Sequence, residues 1–228
     1  MDRTLVLSCI AAVSTVAMYG TGFQTCKEMR RKRNVKHVFF VTFLSCNLSC
    51  ILWLKYGVLQ EDITLIVVNI VGVAMHSFYM LVYFLNTTEK SRVMCWLCCC
   101  AAVIYPLLIY IKYFVDDYEK AVVGLGVVCS LTSLLTCSSR LFNVIDGVKR
   151  NDSSTQLSSG HLTLTHLLVA VIWTLYGRAV GDSYIQITNL LCALLGCCQF
   201  WLFLRYPRTS WKMYDLSSSH YANAAARV

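Results

Sequence analysis

Charge is scarce in this chain, and proline is nearly absent. Only 14% of the 228 residues are charged, whereas a soluble domain of this size carries roughly 25% because its surface faces water. A soluble class is excluded on that ground. The few charges sit in short runs between long apolar stretches, and mean hydropathy is +0.58. Each stretch approaches the roughly 20 residues that cross about 30 Å of hydrocarbon as a helix. Only two prolines occur, Pro106 and Pro207. Loop cysteines are also few, since the 13 cysteines lie mainly inside the apolar stretches. A secreted disulfide framework, which places its cysteines in loops, does not fit. The first apolar segment is too long for a signal-peptide core and runs into a strongly basic loop, as a first span would.

What is present is seven apolar segments, at about 5–25, 38–59, 63–85, 93–115, 121–145, 161–180 and 184–206. Lys27, Arg30, Arg31, Lys32, Arg33 and Lys36 follow the first. Lys90 and Arg92 follow the third, Lys149 and Arg150 the fifth, and Arg205, Arg208, Lys212 and Arg227 the seventh. Fourteen of the 20 Lys and Arg thus lie on one side. The opposite connections hold Glu61 and Asp62, then Asp116, Asp117 and Glu119, then Asp182. Basic loops face the cytoplasm, so the N-terminus is expected outside and the C-terminus inside, which needs an odd number of spans. The net charge of +8 is explained by these loops, and no nucleic-acid partner is implied.

Comparison of the chain with itself at an offset of 120 aligns Trp53, Tyr56, Gly57, Asp62 and Asn69 with Trp173, Tyr176, Gly177, Asp182 and Asn189. Five uncommon residues in one ungapped register mark an internal repeat. Spans one to three (5–85) form one unit and spans five to seven (121–206) another. The fourth span (93–115) inverts the chain so that both units point the same way. The expected fold is an all-α membrane protein of two parallel three-helix repeats and a linker helix, 3+1+3. The tail over 207–228 is expected to lack fixed structure.

Trp53 and Asn69 each lie eight residues from Glu61, and Trp173 and Asn189 eight from Gly181. On antiparallel neighbours each Trp is level with its Asn, roughly 10 Å from the boundary. Facing across a pseudo-twofold axis, the two pairs would form a cavity of two amides and two indoles. Amides donate and accept, and indoles offer an apolar face and one donor. That set suits a neutral, polyhydroxylated solute. Taken singly, a membrane Asn also serves as interhelical glue and a Trp as an interfacial anchor. Tyr56 could bond Asp182 nearer the outer face, and Tyr176 could equally bond Asp62. Gly57 and Gly177 permit close helix approach or cap a helix.

Other residues are less informative. Lys55 and Lys112 are expected to snorkel to the outer interface. Arg140 either snorkels inward or faces the pathway. His76, His161 and His166 show no metal-ligand spacing, and no carboxylate relay crosses the membrane, so no metal or cofactor is expected and facilitated diffusion is favoured over ion coupling. Cys95, Cys98, Cys99 and Cys100 read first as small packing residues and second as palmitoylation sites.

At W-L-K-Y-G (53–57), I-V-V-N-I-V-G (66–72), W-T-L-Y-G (173–177) and I-T-N (187–189) the chain resembles the SWEET, or MtN3/saliva, sugar transporters, most of all the animal branch. The resemblance spans 5–206. It implies a bidirectional uniporter for monosaccharides such as glucose, working by alternating access. It implies that Asn69, Asn189 and Trp173 contact the sugar, with Trp53 at a pocket position that is small in some plant members. Tyr56 and Asp182 correspond to the external gate. The family's proline tetrad on spans one, two, five and six is missing: V-T-F (41–43) and S-S-G-H (158–161) stand in those regions. Altered gating is expected, with Gly20, Gly22 and Gly160 as sources of flexibility. We expect a homo-oligomer, dimer or trimer, in the plasma membrane, with Golgi or another endomembrane as the alternative. The competing function is a seven-helix receptor, or a sorting receptor cycling through the Golgi without transport activity. A retinal protein would need a lysine in 184–206, which has none, and an enzyme would need a nucleophile–base or metal constellation that the sequence does not offer.

Overall fold

The computed structural model describes residues 3–32, 35, 40–113, 117–149 and 153–205. Eight helices are described: α1 (Arg3–Gly20), α2 (Gly22–Lys32), α3 (Phe40–Leu59), α4 (Ile63–Asn86), α5 (Lys90–Tyr113), α6 (Tyr118–Lys149), α7 (Ser153–Val180) and α8 (Ser183–Arg205). Seven stretches among them are long and apolar enough to cross a membrane. The first span is α1 and α2 together, and it is broken. At Thr21, between two glycines, the hydroxyl and the amide of Thr21 both bond to Met18 O, at 2.7 and 3.1 Å. The helices of the fifth and sixth spans are longer than the spans themselves: α6 runs to Lys149 and α7 starts at Ser153, while the stretches apolar enough to cross a membrane are Tyr118–Ser138 and Leu162–Val180. Hydropathy registers only the apolar part of a longer helix. The side chains of Lys112, Arg140 and His161, and the tail over 207–228, lie outside the described residues.

The two hairpins of the repeat are built alike. In each, an Asp amide bonds back to a Gly carbonyl at 2.9 Å, Asp62 to Gly57 and Asp182 to Gly177. The residue before the Asp adopts a left-handed conformation, Glu61 at φ 56° and Gly181 at φ 78°. Each Asp then caps the next helix, accepting from Leu65 N and Ile185 N at 2.9 Å and satisfying one of the orphan donors there. The helices cross closely at the glycines. A Cβ on Gly177 would lie 2.6 Å from Gln186 N, and one on Gly57 3.2 Å from Leu65 Cβ.

The repeats pack on each other reciprocally. α1 lies on α7 and α3 on α6, the pairs that a twofold axis through the centre exchanges. A single core runs across that axis near the hairpin end of the bundle: Tyr56, Leu65 and Val68 from one repeat, Leu125, Trp173, Tyr176 and Ile185 from the other. α5 joins through one face only, with Ile104, Leu107 and Ile111 against that core, and Leu97 and Cys100 beside Val93 and Phe40. The helix continues through Pro106. Large apolar side chains such as Val13, Ile63 and Leu135 point away from the bundle, 70%, 75% and 71% exposed, as lipid-facing residues do.

One expectation needs correcting. Packing residues are buried, yet Cys95, Cys98 and Cys99 are exposed and only Cys100 is half-covered. The run of cysteines wraps around α5, and a single residue of the four reaches the packed face.

Candidate functional site

Trp53, Asn69, Trp173 and Asn189 all line one cavity of about 150 Å³ between the repeats, with Thr15, Met18, Tyr19, Leu65, Val68, Val169 and Ile185. The two amides are held identically. Asn69 Nδ2 donates to Leu65 O and Asn189 Nδ2 to Ile185 O, each at 2.8 Å and four residues back along the same helix. The carbonyl partner fixes which amide atom is nitrogen. One N–H and the Oδ1 of each amide are left over for a solute. Asn47 behaves differently. It donates to Val73 O at 3.1 Å and Ser77 Oγ at 2.9 Å, binding α3 to α4 within one repeat as interhelical glue.

The indoles are also held, but across the repeat boundary. Trp53 Nε1 donates to Ser133 Oγ on α6 at 2.9 Å, and Trp173 Nε1 donates to Thr15 Oγ1 on α1 at 2.8 Å. The expected indole donors are therefore committed to protein. What each Trp offers is its ring face. Thr15 and Ser133 escaped the sequence comparison because they lie 118 residues apart, whereas the second and third helices of each repeat are related by 120. Repeat two has two residues more between its first and second helices, which shifts the register. A second matched pair carries the same signature. Tyr79 Oη donates to Tyr19 O at 2.8 Å and Gln199 Nε2 to Cys137 O at 3.1 Å; the donors differ by 120 and the acceptors by 118. Because Tyr and Gln are unlike, no identity search could pair them.

Toward the hairpin end the cavity is roofed by tyrosines. Tyr56 stands edge-on to Trp53 with ring centroids 5.4 Å apart, and Tyr176 to Trp173 at 5.2 Å. Both are buried. Each hydroxyl reaches the aspartate of the other repeat: Tyr56 Oη to Asp182 Oδ2 at 2.8 Å, and Tyr176 Oη to Asp62 Oδ1 and Oδ2 at 2.9 Å each. The sequence left two alternatives, and both bonds are made. Each Asp thus fixes its own helix start and latches the opposite repeat.

The opposite end of the cavity is not symmetric. Repeat one places Tyr19 against Gly72, where a Cβ would come within 2.9 Å of the Tyr19 ring. The equivalent positions of repeat two are Cys137 and Cys192, with Sγ atoms 3.1 Å apart. A large residue over a glycine has been exchanged for two of medium size. Another exchange is Ala12 and Val68 for Ser130 and Thr188, whose hydroxyls lie 2.6 Å apart. No group of three His, Cys, Asp or Glu suited to a metal occurs among the described residues.

A family profile described as "Sugar efflux transporter for intercellular exchange" matches residues 5–91 and 123–210, more than half the chain. The chain belongs to the SWEET (MtN3/saliva) family. The matched stretches begin 118 residues apart and leave out all of α5 but its first two residues, in keeping with two repeats and a linker. Proteins named "Sugar transporter SWEET1" are similar over nearly their whole length. The one from Xenopus tropicalis is 31% identical over 207 residues, covering 91% of this chain and 96% of the relative. That from Homo sapiens is 33% identical over 219 residues, 95% and 96% covered. A solved structure described as "The 3.7 A resolution structure of a eukaryotic SWEET transporter" superposes with a TM-score of 0.76 at 17% identity, covering 90% of this chain and 99% of that one. The fold is the 3+1+3 arrangement, and SWEET proteins are sugar transporters, not enzymes.

Proposed function

We propose that the protein is a bidirectional uniporter for monosaccharides such as glucose, in which Asn69, Asn189, Trp53 and Trp173 contact the sugar. The observation that carries this reading is the cavity itself: two half-satisfied amides and two ring faces converge there, and among the described residues no charged side chain lines it. Half-satisfied amides exchange hydrogen bonds with hydroxyls, and ring faces accept the C–H side of a sugar. Among the described residues that line it, a charged solute would find no counter-charge.

The basic loops orient the chain with its N-terminus outside and its C-terminus in the cytoplasm, in the plasma membrane. The hairpin end is then extracellular, and the Tyr56–Asp182 and Tyr176–Asp62 bonds form a closed external gate. Alternating access consists of breaking both bonds and rocking α1 and α3 against α7 and α6. With no proline in α1, α3, α6 or α7, the break at Thr21 is the pivot nearest the cytoplasm.

The test is uptake and efflux of radiolabelled glucose and other hexoses in a cell with low background transport, with location recorded in the same cells. We expect flux in both directions. Absence of flux from surface-expressed protein across several hexoses would sink the proposal. Asn69→Ala and Asn189→Ala should each lower flux at least tenfold at unchanged surface expression, and normal flux in both would move the sugar elsewhere.

A further inference from the structure

α5 carries a group of thiols that transport does not use. At 100° per residue, positions 95, 98 and 99 share one stripe of a helix, being i, i+3 and i+4. Val93, Leu97, Cys100, Ile104 and Leu107 occupy the opposite face, which packs on the bundle. The observed exposure follows this division, with Cys95, Cys98 and Cys99 uncovered and Cys100 half-covered. A free Cys is usually among the most buried residues, so three uncovered thiols on one stripe are not explained by packing.

Their surroundings are those of a membrane boundary. Lys90 lies in the first turn with its Nζ 5.5 Å from the centroid of the Phe84 ring. Arg92 pairs with Glu89 at 3.0 Å and is largely exposed. Trp96, 43% exposed, is of the amphipathic type that settles at headgroups. Cys95 is three residues past Arg92 and Cys99 seven, roughly 4.5 and 10 Å along the helix axis. The thiols therefore sit where headgroups give way to acyl chains. Beyond them the same face continues with exposed Ala102 and Val103, which leave room for a chain to lie along the helix.

We propose that Cys95, Cys98 and Cys99 form an S-acylation site for a long saturated fatty acyl chain. The proposal rests on the orientation above, which puts this end of α5 at the cytoplasmic surface, where acyl-coenzyme A is available to a membrane acyltransferase. The cysteine sulfur attacks the thioester carbonyl carbon of acyl-coenzyme A. A new carbon–sulfur bond forms, the bond to coenzyme A breaks, and coenzyme A leaves as a thiol carrying the proton that the cysteine gave up. Thioester is exchanged for thioester, so no oxidant or reductant is needed. The chain then lies in the inner leaflet against the uncovered face of α5.

The full-length protein is expressed in cultured cells, thiols are blocked, and hydroxylamine-released thiols are tagged with a polyethylene glycol maleimide. We expect one to three hydroxylamine-dependent mass steps, parallel labelling by an alkynyl palmitate analogue, and loss of both in Cys95→Ser/Cys98→Ser/Cys99→Ser. Cys100→Ser should keep the wild-type pattern. If the triple variant does not accumulate, the single variants carry the test, and at least one must lose a step. The idea is overturned by no step in the wild type, or by steps that survive in the triple variant. Bis-maleimide cross-linking of two copies through this stripe, without a hydroxylamine-dependent step, would also overturn it and assign the stripe to a second protomer. Glucose flux is measured in the same cells, so a failed acylation reading stays distinct from a failed transport reading.

Discussion

Three buried or half-buried asparagines show why residue type alone does not name a site. Asn47 satisfies its amide with two partners on the neighbouring helix, whereas Asn69 and Asn189 spend one N–H on their own helix and open toward the cavity. Asn47→Ala should therefore act on stability, with roughly 0.6–1.7 kcal/mol lost from a membrane interhelical bond. In detergent its melting temperature should fall while the flux per surface molecule stays near wild type. The opposite pattern is expected for the two cavity asparagines. The glycines separate in a similar way. Gly177→Ala drives a Cβ into backbone at 2.6 Å from Gln186 N, while Gly57→Ala meets Leu65 Cβ at 3.2 Å and Ile66 N at 3.3 Å, tight contacts that need a smaller shift. Overpacking of this kind costs about 1–3 kcal/mol, and Gly177→Ala should show the larger drop in melting temperature. Equal melting temperatures in the two variants would mean that the α7–α8 crossing can give way.

Among elements, the two hairpins carry the most consequence, since each is both a turn and a latch. A hydrogen bond to a charged group contributes about 1.5–3 kcal/mol, and the two Tyr–Asp bonds act on one equilibrium. Tyr56→Phe or Tyr176→Phe alone should favour opening at the hairpin end by roughly ten- to a hundredfold on that scale, and the double variant by more. The measurement is the rate at which an impermeant maleimide labels Thr15→Cys in the cavity from outside. Unchanged rates in the double variant would show that the latch lies elsewhere. The break between α1 and α2 is a second such element. A Cβ on Gly22 would run into the Tyr79 ring, whose hydroxyl is bonded to Tyr19 O. Gly22→Ala should therefore destabilise the protein, and Tyr79→Leu in the same chain should recover part of the loss in melting temperature.

Over the whole molecule, neither repeat is complete alone. Trp53 needs Ser133, Trp173 needs Thr15, and each Asp receives a tyrosine from the other half. Residues 1–88 and 89–228, co-expressed as two chains cut in the short turn before α5, should co-purify and restore measurable glucose flux. Either piece alone should accumulate poorly. Failure of the pieces to associate would mean that covalent linkage through α5, rather than reciprocal bonding, holds the repeats together. At the end opposite the hairpins the halves differ: Tyr19 stands over Gly72 in one, and Cys137 lies against Cys192 in the other.

Much of this is legible in the sequence. Span number, the 3+1+3 order and the Trp–Asn pairs follow from composition, charge placement and one repeat register, because lipid forces every backbone group into helices and leaves apolar length as a direct signal. The level placement of Trp and Asn follows from counting residues to a hairpin tip. Pairings between helices that are distant in sequence were not legible. Thr15 and Ser133 hide behind a two-residue change of register, and Tyr79 and Gln199 behind unlike side chains. The choice between Tyr56–Asp182 and Tyr176–Asp62 had no answer in one dimension. The face on which each cysteine of α5 stands needed the neighbours that cover the other side. Helix formation and membrane insertion are local, and the sequence by itself determined them. Which hydroxyl meets which indole, and which thiol meets lipid, was decided only when the two repeats closed on each other.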